Sequence, residues 1–158
     1  MVGIQHRKSG QFSVSSQRYP VKNMTLTLTE IESRVKKLAV VIGAPAETFP
    51  SFGRSEQSGR PHIEVDSNGY HYVIAERGQE LERHTTPDID ELLYYTFRWI
   101  TFELAVKYEL DHRIQGQDIR RVLFAYQQDL LSQLSPAWGE RRKREQEQIV
   151  QKHPFNDR

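Results

Sequence analysis

The spacing of apolar residues changes period along the chain, and each change marks a predicted element. Leu28, Ile31, Val35, Leu38 and Ile42 recur at intervals of three and four, which places all five on one stripe of a helix. Thr27 and Thr29 each stand three residues before a glutamate, the capping-box spacing of a helix start, and Gly43 with Pro45 ends the helix. Residues 44–60 carry no sustained period and predict a long loop, pinned to the body by Phe49 and Phe52. From Pro61 to His84 the period drops to two, as in strands whose side chains alternate between faces. Asn68-Gly69 predicts one hairpin turn and Arg77-Gly78 a second.

Counting outward from these turns gives a register. Asp66 is expected opposite His71, Glu64 opposite Val73, His71 opposite His84 and Val73 opposite Glu82. One face of the sheet then holds Ile63, Val65, Tyr70, Tyr72, Ile74 and Leu81, with Arg83 beside Tyr72; the other holds His62, Glu64, Asp66, His71, Glu80, Glu82 and His84.

Beyond the strands the helical period returns. Thr86-Pro87-Asp88 reads as a helix entry with Thr86 as N-cap and Pro87 at the first helical position. The helix should run to about Leu110. Ile89, Leu92, Leu93, Phe97, Ile100 and Leu104 form its stripe, and Tyr94, Trp99 and Phe102 widen it, so this helix is expected at the centre of the core. Gly116 breaks the pattern, and Gln117-Asp118 can cap a third helix carrying Ile119, Leu123, Tyr126, Leu130 and Leu134. Ser135-Pro136 opens a last helix anchored by Trp138 and Ile149. The fold expected is α+β: a three-stranded antiparallel meander packed on one face by about four helices. It forms a single domain over residues 24–158, with residues 1–23 a disordered tail or an upstream extension before a natural start at Met24.

Composition narrows the chemistry. The chain has 158 residues, no cysteine, a mean hydropathy of −0.70 and a formal net charge of +1. Absence of cysteine removes disulfides, thiolate catalysis and zinc ribbons, and suits a reducing cytoplasm. No stretch is apolar enough for a membrane span. The net charge hides a distribution: residues 24–112 hold 9 basic against 15 acidic residues, and residues 113–158 hold 9 against 6.

The His/carboxylate face of the sheet is the candidate site. A metal or acid–base reading would use His62, Glu64, Asp66, His71 and His84. The plainer reading is the solvated face of a sheet covered on one side only. No nucleophile with an orienting base is evident, so neither catalytic, cofactor nor metal residues are assigned. Between these lies a rigid acidic docking surface for a basic partner. Arg141, Arg142, Lys143 and Arg144 make the last helix basic, yet Glu140, Glu145 and Glu147 at helical spacing read as ion-pair partners rather than a nucleic-acid patch. Asp111-His112-Arg113 falls at a helix break, where the histidine can cap carbonyl groups.

The order GRPHIEVD, GYHYVIAERGQELERHTT, DIDELLYYTFRWITFELAVKYELDHRIQGQDIRRVLFAYQQDLL, LSPAWGERR and terminal HPFND resembles the immunity protein 63 family of bacterial polymorphic toxin systems, over roughly Met24 to Asp157. The resemblance implies a small cytoplasmic protein that binds a cognate toxin domain, such as a nuclease, and blocks its active site. It implies no catalytic residues. Gly59, Arg60, Pro61, His62, Tyr70, Tyr72, Glu76, Gly78, Trp138 and Pro154 then read as mainly structural. The expected toxin-facing residues are Glu64, Asp66, Glu80 and Glu82, with Asp88, Asp90 and Glu91 at the start of the long helix. The chain is expected to act as a monomer without cofactors, nucleic acid or membrane. The competing readings are a metal-binding enzyme or a regulatory adaptor using the same face.

Overall fold

The computed structural model describes residues 25–158, and the expectation for residues 1–23 lies outside them. In chain order the elements are α1 (Leu28–Ile42), a 3-10 turn (Ala46–Thr48), β1 (Ser51–Phe52), β2 (Ser58–Asp66), β3 (Gly69–Glu76), β4 (Gln79–Thr86), α2 (Ile89–Asp111), α3 (Ile119–Leu134) and α4 (Pro136–Lys152). The sheet therefore has four strands in the order β1-β2-β3-β4, not three. The added strand, β1, is two residues long and parallel to β2, which makes the sheet mixed. Aperiodic sequence hid it, because two residues cannot display alternation.

Local chemistry sets most element ends. The Thr27 hydroxyl accepts from the Glu30 N–H while Glu30 accepts from the Thr27 N–H, completing the capping box, and Gly43 closes α1 in the left-handed region. Asp88, rather than Thr86, caps α2: its carboxylate accepts from the Asp90 N–H. Thr86 instead ends β4 and accepts from the Asp88 N–H, a side-chain turn that carries the chain from strand to helix. Asp118 and Ser135 cap α3 and α4 as expected.

The hairpin turns depart from the sequence reading. Positive φ falls on Gly69 alone in the first turn and on both Arg77 and Gly78 in the second. The type I′ geometry expected of Asn68-Gly69 thus belongs to Arg77-Gly78, while Ser67-Asn68 form a turn completed by Gly69. Asp66 pairs with Gly69 and Glu64 with His71, a slide of two residues from the expected register. Because side chains alternate with period two, that slide leaves both faces unchanged.

Between β3 and β4 the departure matters more. The ladder starts as expected, Glu76 with Gln79 and Ala75 with Glu80, then shifts: Ile74 pairs with Glu82, Val73 with Arg83 and Tyr72 with His84. Leu81 is the extra residue of a β-bulge. One inserted residue turns over everything after it, so Glu82 and His84 join Tyr72 on the helix-covered face and Arg83 moves to the opposite one. The expected positions of all three are corrected by this bulge.

The core lies between the Ile63, Tyr70 and Tyr72 face and the helices. Ile31, Val35, Leu92, Tyr94, Phe97, Ile100 and Leu131 are fully enclosed in it. α1 lies on β2 and α3, and α2 on β3 and β4; α3 packs against α2, and α4 chiefly against α3, so all four helices stand over one sheet face. Trp138 of α4 reaches α2, where its ring stacks with Phe97 at 6.0 Å. Ile119 and Ile149, expected to face the core, lie at the surface. Their places are taken by polar side chains. Gln127 and Gln146 are buried and satisfied by each other, by Arg142 and by the carbonyl of Arg98.

Candidate functional site

The face of the sheet turned away from the helices is built from alternate residues of three strands. β2 contributes His62 and Glu64, with Asp66 at its end; β3 contributes His71, Val73 and Ala75; β4 contributes Glu80, Arg83 and Thr85. Its floor, His62, His71, Val73 and Ala75, is buried, while Glu64, Asp66, Glu80 and Arg83 are each between a third and a half exposed.

Arg83 organises the charges. Its Nε and Nη2 donate to the two oxygens of Glu80 at 2.7 and 3.0 Å, and Nη1 crosses β3 to donate to Glu64 Oε2 at 3.2 Å. The second Glu64 oxygen lies 2.8 Å from His62 Nε2. Bonding to His62 and then Arg83 holds the Glu64 carboxyl below the ordinary glutamate range, and Arg83 does the same to Glu80. Asp66 is likewise lowered, first by His71 and then by the Asn68 N–H. All three stay ionised at neutral pH, so three fixed carboxylates face one arginine.

His71 bridges three strands. Its Nε2 lies 2.8 Å from Asp66 Oδ1 and its Nδ1 2.8 Å from Thr85 Oγ1. A carboxylate–imidazole–hydroxyl chain has the order of a nucleophilic relay, but acyl transfer also requires donors aimed at a developing oxyanion. The nearest cation on β4, Arg83, is committed to Glu64 and Glu80. The chain serves as a cross-strand tie. His62 differs: it is only 3 % exposed and its Nδ1 has no hydrogen-bond partner among the described residues.

The remaining expected site residues lie elsewhere. Glu82 accepts from Arg98 of α2 at 3.3 Å and holds His84 Nε2 at 2.5 Å, while the His84 ring stacks on Tyr95 at 4.1 Å. Asp88 is occupied as the α2 cap, and Asp90 accepts from the Trp138 indole at 3.3 Å. Glu91 binds Arg141 through both oxygens at 2.6 and 2.9 Å. The seven expected acids therefore divide between the helix-free face (Glu64, Asp66, Glu80), the helix side of β4 (Glu82) and the start of α2 (Asp88, Asp90, Glu91). His84 cannot join His62 and His71 around an ion, and among the described residues no three His, Cys, Asp or Glu side chains stand close enough to hold a metal.

The basic run of α4 is engaged by its own glutamates, as the helical spacing suggests: Arg141 and Arg142 pair with Glu145 and Arg144 with Glu140. Arg141 lies 3.9 Å from the Tyr94 ring centroid, and Arg142 reaches Gln127 and Glu145, leaving Lys143 and Arg144 as the exposed bases of the run. His112 caps the Tyr108 carbonyl at 2.9 Å, as the helix break suggested. The sequence reading missed the Tyr95 cluster, in which His84, Tyr72 and Arg98 gather around one ring. Tyr95 falls off the strict apolar stripe of α2, and only the turned-over half of β4 brings His84 to it. Also unanticipated is the carboxy-terminal clamp. Asp157 accepts from Arg121 and the Asp118 N–H, and Phe155 lies under the Arg121 guanidinium at 4.1 Å.

No helix among the described residues is long and apolar enough to cross a membrane. The sequence model of a family described as Immunity protein 63 matches residues 66–148, just over half of the chain, from the end of β2 into α4. Neither the curated proteins nor the solved structures contain a significant match.

Proposed function

We propose that this chain, which belongs to the immunity protein 63 family, binds a cognate toxin domain in the cytoplasm of the cell that carries both and blocks its active site. The family match carries the reading. It spans β3, β4 and α2, which carry Glu80, Arg83 and the helix behind the sheet, while Glu64 on β2 lies just outside the matched residues.

The proposed toxin-facing residues are Glu64, Asp66 and Glu80 on that face. Their hydrogen bonds fix them before binding, so little side-chain freedom is lost on association. Three carboxylates against one arginine suit a basic partner, and complementary charge raises the association rate and the specificity of docking. A nuclease cleft, which must be basic to hold phosphate, is one such partner. Glu82 and Glu91 contribute less, because Arg98 and Arg141 already neutralise them.

Co-expression with the toxin encoded beside it tests the reading. A complex that restores growth is the expected outcome, and a toxin that kills with equal potency in its presence would overturn it. Replacing Glu64 and Glu80 together by lysine should slow association and weaken a salt-sensitive complex. Unchanged affinity would remove this face as the site while leaving the immunity role standing.

A further inference from the structure

We infer that the toxin domain docks by adding an extended segment to the free edge of β4, as a fifth strand with basic side chains on the face that meets Glu80 and Glu64. The inference rests on the immunity reading and deepens it by naming the mode of contact.

A strand at the end of a sheet leaves half of its backbone donors and acceptors without a ladder partner. β4 ends the sheet order, and among the described residues no loop or side chain bonds to its outer backbone. The opposite edge is different, since β1 lies against β2 at His62 and Ile63. Beyond the bulge, Glu82–Thr86 pair with β3 in unbroken register, which offers a partner five consecutive residues of regular strand. Main-chain bonding of this kind supplies affinity, and alternate side chains supply specificity.

Both side-chain rows beside the edge are built in advance. On the helix side stand Glu82 and His84, stacked against Tyr95 and backed by Arg98. On the other side stand Glu80 and Arg83, with Glu64 behind them. On the helix-free row Glu64 and Glu80 outnumber Arg83, so an incoming strand meets excess negative charge there, whereas Arg98 balances Glu82 on the helix side. Leu81 stands 60 % exposed at the bulge, an apolar contact at one end of the edge. The same charges and the bulge discourage β4 from pairing with a second copy of itself, because like charges would then face each other. A strand bearing lysine or arginine meets no such penalty.

Amide hydrogen exchange on the full chain, alone and in complex with the toxin domain, decides the matter. Outward-facing amides of Glu82–Thr86 should exchange readily in the free chain and slow by about tenfold or more in the complex, together with one extended toxin segment. The association rate should fall as salt rises. A complex that forms and protects the cell but leaves β4 exchange unchanged overturns strand addition and spares the immunity role. Amides already slow in the free chain overturn it as well, and an association rate indifferent to salt overturns the basic character of the strand. Failure to form any complex overturns both readings.

Discussion

Deleting Leu81 gives a direct measure of how β4 is registered. Glu80 pairs with Ala75 and Glu82 with Ile74, neighbouring positions on β3, so Leu81 is the one residue the ladder does not use. Its removal closes the ladder and leaves every later residue on its present face. Leu81 is 60 % exposed. The burial lost is therefore about 1 kcal/mol, a fraction of the roughly 1.5–3 kcal/mol of a fully buried leucine. A ladder hydrogen bond regained at the bulge returns about 0.5–1.5 kcal/mol. The net change in unfolding free energy should stay within about 1 kcal/mol. If β4 instead ran without a bulge, the deletion would turn Glu82–Thr86 over, exchanging the faces of His84 and Arg83 and costing about 3 kcal/mol or more. Urea denaturation followed by Trp99 and Trp138 fluorescence reads the difference. A double-mutant cycle of Glu82→Gln with Arg98→Met, run with and without Leu81, should return the same coupling. A loss above about 3 kcal/mol, or a vanished coupling, would refute the bulged register.

Three further outcomes follow from the packing. Phe97→Ala, in a site with no exposure and Trp138 against the ring, should lower stability by about 3–5 kcal/mol in chemical denaturation, and a change below about 1 kcal/mol would contradict the central place of α2. Gly69→Ala puts a Cβ 2.7 Å from the Thr86 carbonyl oxygen at φ +117°, so it should cost about 1–3 kcal/mol in the same assay. Acid should destabilise the fold through Glu91, whose carboxyl Arg141 holds below the ordinary glutamate value of 4.5. A carboxyl lowered in the folded state contributes stability above its unfolded pKa and loses it as pH falls through the folded one. Glu91→Gln should thus lower stability at neutral pH and make the acid loss below pH 4.5 shallower, as thermal melts across pH would show.

The candidate site was legible only in part. The alternation of β2 and the first half of β3 placed His62, Glu64, Asp66 and His71 on one face, and an error of two residues in the turn did not disturb that, since two is the period of the strand. An error of one residue, at Leu81, moved Glu82, His84 and Arg83 to the wrong faces. Nothing in QELERHTT marks where the extra residue lies, because its polar residues show no alternation to violate. Local sequence assigns Asp88, Asp90 and Glu91 to a partner-facing helix start, and nothing near them signals that Trp138 and Arg141, some fifty positions on, claim Asp90 and Glu91.

By itself the sequence determined what depends on neighbours a few residues apart: the helix stripes, the capping box at Thr27, the caps at Asp118 and Ser135, and the apolar face of Ile63, Tyr70 and Tyr72. It also held the ordered motifs by which the chain resembles its family. Tertiary structure decided what depends on distant fit. β1 exists because β2 gives it a partner, and Gly69 takes its conformation where the end of β4 passes. The bulge in β4 is favoured by α2, which offers Tyr95 to His84 and Arg98 to Glu82 while Glu64 and Glu80 receive Arg83 on the other side. Local periodicity says which residues share a face. Only packing between elements says where that period slips.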